Sequence, residues 1–421
     1  MMGKTAALAA LLALGALPFL GPAFAQPSHA LDLSRDERSA IAALQAAAAG
    51  MDRGAQDAAL AAARAAARGA GARHALAHYQ FEIGRARGDY AMQGQAVDAL
   101  VESGLATDAE LPALLANQAA RAYGAGQMDR TDRLLARIVE LQPNNPVALA
   151  DYGQFKSRVN SRGQYLIADR TAAVSLFRRA IAASEAAGRP APQAWHQRAL
   201  ATAYDATRPP ATAGLGPQAV AFARGLVAAY PSPLNWRDAL LAYRDLTPSD
   251  PALDLDIRRL MRAAQALSGE RDYMETAEAL NRAGLIGEAK AVLDEGLSRG
   301  MLEATKPAAR DLIAAVNRRL AADRAGLARL RTQAQAAAGG GPAREAGDAH
   351  FGHAQYAEAA ELYRLALQKG GEDANLVNSR LGAALALAGR RPEAELALRA
   401  VSGPRADLAG FWLTWLARRP A

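Results

Sequence analysis

The chain has 421 residues, of which 51% are hydrophobic but only 5% aromatic, and it carries a formal net charge of +7. Such a length suits several conventional domains or one long repeat array, and an apolar content dominated by alanine favours closely packed helices over β-sheet. The sequence has no cysteine, which excludes disulfide bonds and thiol nucleophiles and argues against a cysteine-linked lipid anchor.

The first predicted element is a secretory signal peptide. Lys4 is followed by an apolar stretch, and the tripeptide AFA that ends at Ala25 fits the small-residue pattern of a signal cleavage site. We expect cleavage near Ala25/Gln26, removal of residues 1–25, and a mature chain that is periplasmic or secreted. An uncleaved membrane anchor is the alternative interpretation, although Pro18 interrupts a continuous spanning helix.

From about residue 33 to the C-terminus, the sequence predicts helices separated by Gly, Asp or Pro breaks. Ser34 and Glu37 form a capping-box pattern at the start of the first helix. The sharpest break is ELQPNNPVALADYG, from Glu140 to Gly153. Pro143 ends one helix there because it lacks an N–H, and Pro146 suits the first turn of the next helix. The break therefore predicts a joint between two structural units.

Small residues recur at fixed spacings along the chain. Ala119 and Gly153 are 34 residues apart. A spacing of 12 residues recurs at three further pairs: Ala277 and Ala289, Gly347 and Ala359, and Gly382 and Ala394. A fixed period of this length indicates a solenoid of stacked units, each too small to bury its apolar face alone.

Three segments resemble tetratricopeptide repeats. They are ANQAARAYGAGQMDRTDRLLARIVELQPNNP at Ala116–Pro146, EAGDAHFGHAQYAEAAELYRLALQKG at Glu345–Gly370, and LGAALALAGRRPEAELALRAV at Leu381–Val401. The family's unit is a helix–turn–helix of 34 residues with Gly or Ala in the turn. The matching turn positions here are Gly126, Gly284, Ala354 and Gly389. The resemblance implies an all-α fold, a right-handed α-solenoid of stacked helix–turn–helix repeats.

The predicted organisation has three parts after the signal peptide. Residues 26–338 form a degenerate superhelix of such repeats, residues 339–342 a Gly-rich joint, and residues 343–421 a C-terminal repeat pair with a final helix. That helix, Asp407–Arg419, carries three large aromatic residues. We expect it to cap the apolar face of the last repeat, as such arrays require for solubility. A helix lying on a membrane surface is the alternative.

Patterns that would indicate catalysis are scarce. His74, His78 and Glu82 follow one another at helical-turn intervals and could hold a metal ion. No metalloprotease or zinc-binding pattern surrounds them, so a solvated helix face is the favoured interpretation, as it is for His350 and His353. The sequence also has no phosphate-binding glycine loop followed by Lys and Ser or Thr. We therefore predict no enzymatic activity, no metal and no cofactor.

Two successive units contain an extension. The spacing between small residues rises from 12 to 20 at Gly153 and Ala173, and again at Ala199 and Ala219. The first extension is basic, and its arginines Arg158, Arg162 and Arg170 would favour an acidic partner. Neutral loop drift is the alternative, since long surface loops cost little free energy.

The resemblance also implies a function. In the family, the first helix of each repeat lines a concave groove that holds a partner. The predicted partner-binding residues are Tyr123, Gln154, Arg158, Arg162, Arg170, His196 and Tyr204. The chain lacks a matching Lys and Asn set of the kind that grips C-terminal carboxylates in some repeats.

We expect an exported scaffold or adaptor that binds a protein or peptide partner in the cell envelope. An accessory protein that binds anionic exopolysaccharide or envelope glycan is the alternative. Neither nucleic acid nor a transmembrane anchor after signal cleavage is expected.

Overall fold

The computed structural model describes residues 31–158, 169–207 and 214–418. These residues divide into two compact units, of which the first ends at Arg189 and the second begins at Pro190. The predicted signal peptide, residues 1–25, and Arg162 of the predicted binding set lie outside the described residues.

The described part of the first unit consists of helices joined by short turns. They are α1 (Arg35–Ala48), α2 (Arg53–Ala66), α3 (Ala70–Arg87), α4 (Tyr90–Glu102), α5 (Leu111–Gly124), α6 (Met128–Leu141), α7 (Pro146–Lys156) and α8 (Arg170–Ala186). Each odd-numbered helix packs against the even-numbered helix that follows it.

The second unit is also helical throughout its described residues. Its helices are α9 (Gln193–Asp205), α10 (Leu215–Ala229), α11 (Pro233–Leu246), α12 (Pro251–Ala263), α13 (Gly269–Arg282), α14 (Ile286–Ser298), α15 (Pro307–Ala336), α16 (Gly341–Gly352), α17 (Tyr356–Lys369), α18 (Ala374–Leu387), α19 (Arg391–Arg399) and α20 (Ala406–Ala417). A short 3-10 turn, Gly403–Arg405, precedes α20. No strand occurs in the described residues of either unit, so the predicted all-α fold of helix–turn–helix pairs is confirmed.

The local signals act as the sequence predicts. Ser34 and Glu37 form the capping box of α1, and Glu37 also accepts hydrogen bonds from the backbone N–H groups of Arg68 and Gly69. These backbone hydrogen bonds lower the pKa of Glu37 to about 2. The four predicted turn positions all have left-handed backbone angles, with φ of 72° at Gly126, 76° at Gly284, 57° at Ala354 and 77° at Gly389.

Small residues permit close helix contacts inside the pairs. A Cβ added to Gly347 of α16 would lie 2.7 Å from Cε1 of Tyr363, one helical turn beyond Ala359 on α17. At Gly382 of α18, an added Cβ would lie 2.5 Å from Cγ of Leu398 on α19. A side chain at either position would therefore overlap the partner helix, which is the physical reason for the small residues of the repeat.

The Gly-rich segment at residues 339–342 lies within the second unit: Gly339 and Gly340 lie between the long helix α15 and α16, and Gly341 and Pro342 are the first residues of α16. The Gly340 N–H donates a hydrogen bond to the Gly370 carbonyl at 2.8 Å, and Lys369 donates to the carbonyls of Ala334 and Gln335. These hydrogen bonds hold the C-terminal end of α15 and the residue before α16 against the C-terminal end of α17.

The C-terminal arm, Gly403–Ala417, packs back onto helices far earlier in the chain. The Phe411 ring lies 6.2 Å from that of Trp236 and 5.5 Å from that of Tyr243, both on α11. The Trp415 indole N–H donates to the Ala263 carbonyl of α12 at 3.2 Å. The arm also contacts α18 and α19. It thus joins early and late helices of the second unit.

This burial bears on the two interpretations of the last helix. Trp412 is 1% exposed and Phe411 is fully buried, so α20 has no aromatic face free to lie on a membrane. Within the described residues, no helix combines the length and hydrophobicity needed to cross a bilayer.

A buried ion cluster also links distant segments of the second unit. It consists of Asp256, Arg259, Glu288, Asp348, Arg380 and Arg405, all with side chains at most 8% exposed. Asp256 is at its centre: its carboxylate lies 2.7 Å from Arg405, 3.1 Å from Arg380 and 3.1 Å from Arg259. Arg259 pairs further with Glu288 at 2.8 Å, and Arg380 with Asp348 at 2.6 Å.

Candidate peptide-binding groove

A groove in the first unit runs between α5 and α7, the first helices of two successive pairs. The α5 wall is a stripe of small side chains, Ala113, Ala116 and Ala120, that recurs along one helical face and ends at Tyr123. The wall on α7 is formed by Val147, Ala148, Asp151, Gln154 and Phe155. Thr131, Leu135 and Ile138 of α6 contribute apolar surface, and the groove encloses about 330 Å³.

The break at Pro143–Pro146 positions the α7 wall. The Asn145 side chain accepts hydrogen bonds from the backbone N–H groups of Val147 and Ala148 and so caps the helix. Pro146 occupies the first helical position, as predicted. Asn145 also lines the groove, so the joint between units forms part of its surface.

Three of the predicted binding residues come together at the C-terminal ends of α5 and α7. The rings of Tyr123 and Phe155 meet edge to face at 6.3 Å, and Gln154 lines the groove beside them. The guanidinium carbon of Arg158 lies 4.4 Å from the centre of the Tyr123 ring, a cation–π contact. The structure thus brings together three of the residues predicted from repeat position, Tyr123, Gln154 and Arg158.

Asp151 is the charged group of the groove, and the sequence analysis did not identify it. Its half-buried carboxylate lies among alanines, and it forms no ion pair or hydrogen bond with any residue that the structure describes. Burial raises its pKa to about 6, because removal from water disfavours the charged form and no cation compensates.

The second unit contains a similar cavity between α9 and α11, again first helices of a pair. Tyr204 lines it with Leu200, Ala201 and Leu241, and the Tyr204 hydroxyl donates to Asp245 at 2.7 Å. Asp238 lies in the same cavity, and burial raises its pKa despite the opposing effect of Arg237.

The remaining predicted residues are placed differently. His196 is only 3% exposed and packs edge-on against the Tyr230 ring, with 5.9 Å between centroids, so it contributes to the core rather than to an open surface. Arg170 is the first residue of α8 and follows the helix cap Asp169. Neither residue lines the groove of the first unit.

The histidine pairs are not on solvated helix faces, so that interpretation is wrong. His74 and His78 are buried, and burial lowers the pKa of both. His350 is buried with Nδ1 2.6 Å from Gln355 Oε1, and His353 pairs with Asp323 at 2.7 Å. In the described part of the chain, no three His, Cys, Asp or Glu side chains are placed to hold a metal ion.

Comparison with known proteins adds little to these observations. No protein-family model matches the sequence, and no curated protein matches it. A match to a solved structure, a monomeric mutant of IFIT1 with Gppp-AAAA, has 13% sequence identity and covers 89% of this chain and 75% of that one. The TM-score is 0.21, so the fold assignment depends on the helices and contacts described above.

Proposed function

We propose that this protein is a non-catalytic scaffold that binds a peptide segment of a partner protein in the groove between α5 and α7. The supporting observation is the groove itself: an apolar channel of about 330 Å³ with Tyr123, Gln154 and Arg158 at one end. That volume falls at the lower end of the range for specific ligand sites, about 300–1,000 Å³. It suits one or two partner side chains rather than a whole domain.

The composition of the groove fits recognition of a segment. Aromatic and arginine side chains dominate binding energy at interfaces, and Tyr123 and Arg158 supply one of each. The alanines keep the floor open, so a partner side chain can approach the helix backbones closely. Tyr123 and Phe155 hold each other in place, which reduces the entropy lost when a segment binds.

A groove-filling substitution tests this function. Ala120 is half-buried and lines the groove, so Ala120→Phe should occupy the space that a partner side chain needs. We expect partners captured by the wild-type protein from an envelope fraction to be lost from the variant, as judged by mass spectrometry. Ala125→Phe, at an exposed position outside the groove, should retain them. If Ala120→Phe still captured these partners, the partner-binding surface would lie outside this groove.

The same experiment addresses glycan binding. A ligand that survives protease treatment of the fraction and is released as salt rises would favour an anionic glycan over a protein. Arg158 and Arg170 would then be the described residues of the first extension to replace.

Export is part of the proposal and is tested separately. If the charged start, the apolar stretch and the AFA tripeptide act as a secretory signal, N-terminal sequencing of the native protein should begin near Gln26. A native chain that starts at Met1 or Met2 would contradict export and leave the groove proposal unaffected.

A further inference from the structure

Three helices carry an aspartate at the same position relative to their start. α7, α11 and α12 each begin with proline at the first helical position, namely Pro146, Pro233 and Pro251. The fifth residue after each proline is an aspartate: Asp151, Asp238 and Asp256 respectively. Because helical position sets the direction in which a side chain points, the three carboxylates leave their helices at the same angle from the N-terminus.

One of these three aspartates forms ion pairs with arginine side chains of the same chain. Asp256 binds Arg405 at 2.7 Å and Arg380 at 3.1 Å, and both guanidiniums come from segments more than 120 residues further along the chain. Arg405 belongs to the C-terminal arm, whose apolar side chains pack beside it on α11 and α12. The chain thus shows what such a position accepts: an arginine followed by an apolar segment.

Neither of the other two aspartates forms an ion pair with a described residue, although the rise that burial causes in the pKa of Asp238 is opposed by the charge of Arg237. Asp151 and Asp238 each lie in a cavity between first helices, without a hydrogen bond to any of the described residues. A carboxylate in apolar surroundings costs free energy unless a charged or hydrogen-bonding partner compensates it. At one end of the groove in the first unit, the guanidinium of Arg158 is stacked on the Tyr123 ring.

We propose that the groove between α5 and α7 binds a basic peptide, whose arginine or lysine side chain pairs with Asp151 while flanking apolar side chains lie along the alanine stripe. The inference rests on the proposed function, since it names the chemistry of the segment held in that groove. It differs from the acidic partner that the basic extension suggested. A peptide carboxylate placed here would face Asp151 across an apolar surface that cannot screen the repulsion.

The absence of cysteine allows the groove of the first unit to be observed alone. Ala113 is exposed and lines the groove, so Ala113→Cys provides a unique thiol for an environment-sensitive fluorophore. The probes are three hexapeptides, acetyl-Ala-Leu-Arg-Ala-Leu-Gly-amide and its counterparts with citrulline or glutamate in place of arginine. Citrulline keeps the shape of arginine without its charge, so the comparison isolates the ionic contribution.

We expect the arginine peptide to bind roughly ten- to a hundredfold more tightly than the citrulline peptide, because a charge-assisted hydrogen bond contributes an affinity gain of about this size. Asp151→Asn should remove this difference, whereas Asp151→Glu should keep most of it. Asp129→Asn, which removes an equal charge at an exposed position of α6, should leave it unchanged. Asp151→Asn should also melt at a higher temperature than wild type. That result would show that a loss of binding in this variant is not caused by unfolding.

Several outcomes would overturn the proposal. They are equal affinity for the arginine and citrulline peptides, tightest binding of the glutamate peptide, or no binding of any of the three at millimolar concentration. If Ala120→Phe still abolishes capture of the natural partner in those cases, the groove function stands and only its preference for a cation fails. If Ala120→Phe has no effect on capture, the proposed function itself fails.

Discussion

Replacing Asp256 with Asn is expected to destabilise the second unit by about 3–5 kcal/mol, the usual cost of removing one partner from a buried ion pair. The substitution keeps the shape of the side chain but removes its charge. Arg259, Arg380 and Arg405 would then be left with two buried carboxylates, Glu288 and Asp348, and with the more exposed Asp250, which lies 3.5 Å from Arg405. The penalty arises from the guanidiniums left uncompensated rather than from one lost hydrogen bond.

The effect should depend on pH in a defined direction. Burial alone would raise the pKa of Asp256, but the attraction of Arg380, Arg259 and Arg405 outweighs it and the pKa is lowered. A carboxyl group with a lowered pKa stabilises the fold above its unfolded-state pKa and loses that contribution as pH falls through the folded value. The difference between wild type and Asp256→Asn should therefore be largest near neutral pH and shrink in acid.

Urea unfolding followed by tryptophan fluorescence provides the measurement, because all four tryptophans lie in the second unit. The matched control is Asp311→Asn, whose carboxylate is 69% exposed and pairs with Arg310. It should change the free energy of unfolding by no more than about 0.5–1 kcal/mol. A cost for Asp256→Asn as small as that of the control would show that water or rearranged partners satisfy the arginines.

Trp412→Ala is the second large effect, with an expected loss of about 3–5 kcal/mol for truncating a buried tryptophan. Trp412 is 1% exposed, and its ring meets Trp415 edge to face at 5.4 Å. Its helix, α20, contacts α10, α18 and α19. The resulting cavity would therefore loosen the contact between early and late helices of the unit, not only the last repeat.

The comparison residue for this substitution is Leu396 on α19, which is 74% exposed. Leu396→Ala should shift the urea midpoint little, since surface substitutions usually change stability by about 0.5 kcal/mol or less. Hydrogen exchange on Trp412→Ala should show faster exchange at α10 and α11 as well as at α20. Faster exchange confined to α20, with an unchanged midpoint, would mean that the arm only covers a unit that is stable without it.

The parts of the fold governed by local chemistry could be predicted from the sequence. Proline, asparagine and glycine mark the helix ends and turns at Pro143, Pro146 and Gly126 because their backbone preferences act within a few residues. The alternation of paired helices follows from the spacing of small residues. Tyr123, Gln154 and Arg158 lie near one another because position within a repeat determines which face of its helix a residue occupies; that they bind a partner remains a prediction.

What the sequence could not predict depends on contacts between distant residues. The pairing of Asp256 with Arg405 spans 149 residues, and no local pattern distinguishes these side chains from the many solvated Asp and Arg residues. The histidines were misassigned for a related reason: His74 has a polar partner, Ser103, that only the fold supplies. Asp151 could have been recognised from its spacing after Pro146, had α7, α11 and α12 been aligned on their first prolines.

The C-terminal arm has a consequence for how the chain is made. Ribosomes synthesise a chain from its N-terminus, so the first unit can fold completely while the rest of the chain is still being translated. The second unit cannot, because Asp256 on α12 receives Arg405 only after 149 further residues have been translated. Contacts of such long sequence separation also slow folding. A premature stop or frameshift anywhere before Arg405 would therefore cost far more than the lost residues, since it would leave Asp256 without one of its cations and α11 without its cover.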